Sequence, residues 1–371
     1  MKNVKKNLYN LLFILLFLIC PIQSQAADME YSVSADIPEN QVDKSQTYFD
    51  LRMKPEQKQE LTLKVSNSGD KEITLNIIPN SATTNQNGVV DFSEKDRKID
   101  SSLSCPITKL ISGEQKVKLA PKEKKAVKFT LQMPKEEIDG KIVGGFYVYK
   151  DEANDEQKSS EGGVQISNKY AMVVGIQLTE KDDPVKAELN LNAIQPDLIN
   201  YRTAVTANIQ NTKPTFVNDL KVVAKVSKKD SVEIIHQTTK EEMAMAPNSN
   251  FDFPISWDNQ ELLPGKYTLD LVATTKEDEW AFKKEFEITS KEAKKLTDEA
   301  IEIEKEPNYW AIGGIIAASI LVVVGIIILV VLLYKKRKKK LELERKRQAK
   351  KRKQQRKKRT EKDKQKDRYK Q

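Results

Sequence analysis

The chain has 371 residues, a formal net charge of +9 and a single histidine. Its charge is unevenly spread: from Lys335 onward 22 Lys and Arg stand against 5 Asp and Glu, a balance of +17, and three lysines sit at the amino terminus, so the remainder carries −11. That split excludes an exported basic face, and with it nucleic acid as a partner.

Lys2, Lys5 and Lys6 precede the apolar stretch Leu11 to Ile19 and the small-residue site Ser24-Gln25-Ala26. This is the pattern of a signal peptide over 1–26. A lipid attachment at Cys20 is disfavoured by the large Ile19 before it and Pro21 after it. Once the leader is removed only Cys105 is left, so the exported region must be stabilised by its cores and not by an intrachain disulfide. Cys105 has no basic neighbour in Ser104-Cys105-Pro106 and reads as a packing residue, not a nucleophile.

Between Asp28 and Thr289 apolar residues alternate with polar ones. Leu61-Leu63-Val65, Ile73-Leu75-Ile77, Val127-Phe129-Leu131-Met133, Val205-Ala207-Ile209, Leu220-Val222-Ala224-Val226 and Tyr267-Leu269-Leu271-Ala273 each predict a half-buried strand. Asn67-Ser68-Gly69-Asp70, Asn87-Gly88, Pro121-Lys122, Asp139-Gly140 and Pro264-Gly265 are the turns between them. The pattern predicts an all-β fold of two immunoglobulin-like β-sandwich domains in tandem, 28–181 and 185–290, divided at the charged, proline-marked break Glu180 to Pro184. Asp151 to Gly163 reads as a flexible hairpin loop in the first domain, and the Lys/Glu/Ala-rich stretch 291–308 as a short helical stalk.

Ala311 to Leu333 is an uncharged apolar run of 23 residues. At ~1.5 Å per residue it spans ~35 Å, enough to cross a hydrocarbon core of ~30 Å. Trp310 and Tyr334 suit the two interfaces, and Lys335, Lys336 and Arg337 begin a basic cluster that is retained in the cytoplasm. The expected topology is single-pass type I in the cell membrane. Domains 1 and 2 lie outside and the basic tail, 335–371, lies inside, either solvated and disordered or drawn to anionic headgroups.

Signatures of catalysis are missing. His236 alternates with apolar residues in Val232 to Gln237 and reads as a strand residue. No Gly-x-Ser-x-Gly elbow accompanies it, zinc lacks its His and Cys ligands, and the thirteen glycines build no phosphate-cradling loop. Asn85-Gln86-Asn87-Gly88-Val89-Val90-Asp91 lacks the ligand ladder of a calcium loop and reads as a tight turn in which both Asn87 and Gly88 tolerate positive φ. Of the 54 Asp and Glu, 5 lie in the tail, and no acid/base pair can be assigned among the other 49. No enzyme activity, cofactor or metal is expected. Trp257 and Trp280 sit in alternating runs that favour core packing over a carbohydrate platform.

Tyr31-Ser32-Val33, Pro38-Glu39-Asn40-Gln41, Asp43 and Tyr48-Phe49-Asp50-Leu51 resemble the opening of the WxL-interacting proteins of Gram-positive bacteria. The order continues through Pro55 to Leu63, Asn67, Asn87-Gly88, Met133-Pro134 and Asp139-Gly140-Lys141-Ile142-Val143-Gly144-Gly145. The second module is similar in Asn208-Ile209-Gln210-Asn211, Met245-Ala246-Pro247-Asn248-Ser249, Pro264-Gly265-Lys266-Tyr267 and Trp280-Ala281-Phe282. Glu56 departs from the pattern, standing where the family usually has glycine. The resemblance implies a peptidoglycan-binding first module, a second module assigned to host binding, and partners that carry Trp-x-Leu motifs. None of the three tryptophans here is followed by Trp-x-Leu spacing, which makes this chain the partner and not the WxL protein. Two compact domains in series reach ~80 Å from the membrane. That depth favours wall contact through domain 1 and complex formation through domain 2 over direct host contact; an adhesin for host extracellular proteins is the alternative.

Overall fold

The computed structural model describes residues 29–93, 98–151, 170–301, 303 and 309–368. The expected signal peptide and most of the loop Asp151 to Gly163 lie outside the described residues, as do 302 and 304–308 of the expected stalk.

The first sandwich places β1 (Tyr31–Asp36), β3 (Lys58–Asn67) and β8 (Lys124–Gln132) in one sheet, in the order β1-β3-β8. The facing sheet has β2 (Phe49–Arg52), β4 (Ile73–Ser81), β7 (Gln115–Leu119), β9 (Lys141–Lys150) and β10 (Ala171–Thr179), in the order β2-β10-β9-β4-β7. Alternation is what packs them: Leu61, Leu63 and Val65 of β3 and Val127, Phe129 and Leu131 of β8 point inward against Phe49, Leu75, Ile77, Phe146 and Ile176. All pairs are antiparallel but one. β2 runs parallel to β10, with Phe49 opposite Ile176 and Arg52 opposite Thr179, because the chain crosses from the first sheet to the second between β1 and β2. A small hairpin, β5 (Thr83–Thr84) and β6 (Val90–Asp91), and a single helical turn, α1 (Ile107–Leu110), interrupt the sequence of strands.

The second sandwich pairs a three-stranded sheet with a four-stranded one. The first has β11 (Leu189–Ile199), β12 (Arg202–Asn211) and β15 (Ser249–Ser256) in the order β11-β12-β15. The second has β13 (Val217–Lys228), β14 (Ile234–Met245), β16 (Gly265–Thr274) and β17 (Glu279–Ile288) in the order β14-β13-β16-β17. Phe251, Phe253, Trp257, Leu269 and Leu271 fill the core between them.

Three expectations need correcting. The stretch after Thr289 is not simply a stalk: α2 (Ser290–Glu299) is capped by a reciprocal Thr289/Glu292 box, and its Ala293 and Leu296 pack on the second core. In the turn before β6 only Gly88 has a positive φ, at 72°. Asn85 instead braces that turn, accepting from Asn87 N at 2.9 Å and Val89 N at 3.2 Å. Finally, the basic tail is helical. α3 (Tyr309–Arg368) runs without a break from the apolar segment into it, and at ~1.5 Å per residue it is ~90 Å long. Its apolar part is long and apolar enough to cross a membrane, and Ile315, Leu321, Val331 and Trp310 are all exposed.

Candidate functional site

The residues that carried the sequence pattern fall into three groups. The first joins the two sandwiches. The β5–β6 hairpin and the segment around Asp100 leave the first domain and meet the second at β12, β14 and β15. Thr84 Oγ1 accepts from Ala246 N at 3.0 Å and shares a hydrogen bond of 2.6 Å with Ser249 Oγ. Ala244 N donates to Gly88 O at 2.7 Å, and Lys141 N to Pro214 O at 2.8 Å. Two glycines permit these approaches: a Cβ on Gly88 would lie 2.6 Å from Met243 Sδ, and one on Gly140 would lie 2.3 Å from Pro214 O. Both have positive φ, where L-residues are strained. Asn248 Nδ2 donates to Ser102 O and to Thr212 O, and neighbouring Pro247 is buried.

Asp100, 9 % exposed, is a buried charge in this joint. It accepts from Ser102 N at 2.8 Å, Ser102 Oγ at 2.7 Å, Gln210 Nε2 at 2.8 Å and Asn250 Nδ2. Burial pushes its carboxyl up, but the bonds from Ser102, Asn250 and Gln210 together outweigh burial and hold it below the usual range. Ala82, Val143 and Ala246, with Val90, Phe92 and Phe216 against them, make a small apolar core inside the joint.

The second group lies on the crossing between β1 and β2. Gln41 ties its two ends together: its Nε2 donates to Tyr48 O at 2.8 Å and to Asp43 O, and its Oε1 accepts from Asp50 N at 3.0 Å. Asp43 caps the bend, accepting from Ser45 Oγ, Ser45 N and Gln46 Nε2, and these bonds lower its pKa to about 2. Asn40 exchanges two hydrogen bonds of 2.9 Å with Gln59. Phe49 and Leu51 are core residues, while Tyr48 is held half-exposed beside Gly175.

This braced crossing forms one wall of a cleft of about 500 Å³. Tyr48, Phe92 and Phe216 stand around it, and Val173, Gly175 and Gln177 of β10 form its floor. Gly145 lets Phe92 close down on the sheet, since a Cβ there would lie 3.2 Å from its ring; on the core side, a Cβ on Gly144 would strike Ile107 at 2.6 Å. No Lys, Arg, Asp or Glu is among the residues lining it. A second, shallower hollow of about 730 Å³ differs in kind, being lined by Asn40, Gln41, Arg52, Lys54, Pro55, Glu56 and Gln57.

The third group is structural. Tyr267 is buried, donates its hydroxyl to Leu263 O at 2.8 Å, stacks on Phe286 and meets Trp257 edge-on; Gly265 opens its strand and lies against its ring. Trp280 packs half-buried on the same core. His236 lies on a strand as expected, buried over the Trp257 ring, with Nδ1 3.1 Å from Asp258 Oδ2. Cys105 packs against the first core, and burial raises its thiol pKa. Trp310, Tyr334, Lys335, Lys336 and Arg337 all lie along α3.

Residues 31–150 match the family described as WxL Interacting Protein, peptidoglycan binding domain, and residues 161–298 match WxL Interacting Protein, host binding domain. The chain belongs to the WxL-interacting protein family. Both matched modules are binding domains, as the resemblance implied. No curated protein matches it. Among solved structures it is similar to the class 5 fimbriae chaperone CfaA (11 % identity, 63 % of this chain and 94 % of that one, TM-score 0.23). It is also similar to the YadV chaperone (8 %, 70 % and 100 %, TM-score 0.26) and to the E. coli chaperone DraB (13 %, 61 % and 88 %, TM-score 0.21).

Phe92, Asp100, Val173, Gly175 and Phe216 were not singled out in the sequence of this WxL-interacting protein. Phe92 and Phe216 look like ordinary strand-end aromatics, and only the joint between domains brings them to one cleft. Val173 could have been noticed as an apolar residue on the outward parity of its strand.

Proposed function

We propose that the chain is a non-enzymatic, membrane-anchored adaptor of the cell surface that binds peptidoglycan through its first domain and assembles with WxL-domain proteins. The observation that carries this is the order of the parts: two binding domains precede an apolar helix whose far end is basic. In this reading the leader 1–26 is removed, domains 28–181 and 185–290 stand outside, 311–333 crosses the membrane, and the polybasic end remains in the cytoplasm. The hollow at Lys54 suits the wall, because the stem peptides of peptidoglycan carry carboxylates and a lysine beside amide donors can meet them, while Arg52 at its edge is paired with Asp182.

Sedimentation of the full chain, held in detergent, with purified wall sacculi tests the reading. The chain should sediment with them, and Lys54→Glu should weaken that binding several-fold. Binding to host matrix proteins with none to sacculi would overturn it.

The description of the second matched family favours a second reading, an adhesin for host proteins. Labelling of intact cells by antibody against 185–290, as strong as for a wall-surface protein, would support it over the adaptor.

A further inference from the structure

β10 is flanked unevenly. On one side it pairs with β9 along its whole length, from Ala171 opposite Tyr149 to Thr179 opposite Lys141. On the other side β2 covers only Ile176 to Thr179, and among the described residues no strand pairs with the flank from Ala171 to Gly175. In an antiparallel strand alternate residues direct their N–H and C=O groups away from the neighbour. Among the described residues this half of β10 therefore has backbone groups without a strand partner, as a sheet edge does, bounded by Tyr31, whose hydroxyl donates to Tyr170 O at 2.8 Å, and by Tyr48 beside Gly175.

The apolar cleft lies against that open flank. Its floor is the same stretch of β10, and Val173 in it is 44 % exposed. Tyr48 and Ser34 bound the cleft on one side, and Phe92 and Phe216, which belong to the interdomain core, on the other. Its volume of about 500 Å³ falls within the ~300–1,000 Å³ of pockets that hold compact ligands. The carboxylate-bearing stem peptides of the wall are poorly served here, because the lining residues include no charged side chain.

We infer that this edge and cleft form a docking site for an extended segment of a protein partner, which adds a short strand beside Ala171–Gly175 and sets two apolar side chains into the cleft. Side chains two apart share one face of an extended strand, so the Trp and Leu of a Trp-x-Leu motif would enter together. The family description names a protein that interacts with WxL partners. The inference rests on the adaptor reading above and gives the protein-binding half of it a place. Gly175 keeps the floor low, with Tyr48 3.5 Å from where its Cβ would be.

The test uses the full chain in detergent and a fluorescent synthetic peptide with Trp-Thr-Leu at its centre and Ser and Thr on either side. Binding is expected, and a peptide with Ala-Thr-Ala at its centre should bind at least tenfold more weakly. Val173→Asp alters an exposed residue and places a charge in the cleft; it should weaken the peptide at least tenfold and leave sedimentation with sacculi unchanged. N-methylation of the amides between and beside Trp and Leu should also weaken binding, which simple insertion of the rings would not require. Equal binding of the two peptides, or an undiminished affinity in Val173→Asp, would overturn the site. Loss of sacculus binding in Val173→Asp would assign the cleft to the glycan instead. Failure of the adaptor reading itself shows separately, as no sedimentation of the unaltered chain.

Discussion

In the second sandwich Tyr267 stacks on Phe286 and meets Trp257 edge-on, His236 covers the indole, and α2 lies across the core with Ala293 and Leu296 turned into it. The first sandwich has a core of similar make, with Phe129 and Phe146 at 4.5 Å, but its larger sheet is only partly flanked, and an uncharged cleft opens beside the uncovered part of β10. The pattern residues of the second domain serve packing or the joint, whereas those of the first also shape a surface. The contrast teaches that strong motif residues do not by themselves mark a ligand site. In this chain most of them hold the platform on which less noticeable residues stand.

The contrast is broken most forcefully at its two extremes. Phe253→Ala should cost ~3–5 kcal/mol, read as a loss of unfolding free energy in denaturant, whereas Val173→Ala, on the open flank, should change it by less than ~0.5 kcal/mol. If both cost alike, the flank is as closed as the core.

The joint comes next. Gly140→Val must hold a branched residue at a left-handed φ, which costs ~1–2 kcal/mol, against the Pro214 carbonyl. We expect ~3 kcal/mol or more in all, with faster proteolysis between Glu180 and Pro184 as the local sign.

Asp100→Ala strips acceptors from Gln210, Asn250 and the Ser102 amide and should cost ~1–3 kcal/mol. Its pH dependence has a definite sign. The folded carboxyl titrates below the ordinary Asp value of ~3.9, so its contribution is complete above that pH and is lost as pH falls through the folded value. Acid titration followed by interdomain proteolysis should show loosening only below about pH 4, and Asp100→Ala should remove that step.

The smallest effect is at Glu56, which adopts φ 58°, a left-handed conformation that favours glycine. Its turn is kept all the same, with Gln57 N donating to Lys54 O and Glu56 N to Pro134 O. Glu56→Gly should therefore stabilise the first domain by roughly 0.5–1 kcal/mol, measured as a shift in denaturant midpoint.

The fold was legible because alternation states which face of each strand is buried: Leu61, Leu63, Leu220 and Leu269 all lie in the cores the sequence pattern assigns them. The parallel β2–β10 pair was not, since it depends on a sheet crossing with no local signature beyond Gln41 and Asp43. The cleft was hidden for a related reason. Tyr48, Phe92 and Val173 are far apart in the chain and are brought together by the fold of the first domain, and Phe216 reaches them only across the joint from the second. The capped helix α2 was partly legible in Thr289 and Glu292, the two residues that form its box.

The joint also bears on how such a protein can be rebuilt or inherited. Gly88, Gly140 and Asp100 stand in one domain and Met243, Pro214, Gln210 and Asn250 in the other, so each half is fitted to a specific counterpart. A chimera joined at Glu180–Pro184 from two relatives would keep every strand and still lose its fit unless both sides of the seam travelled together.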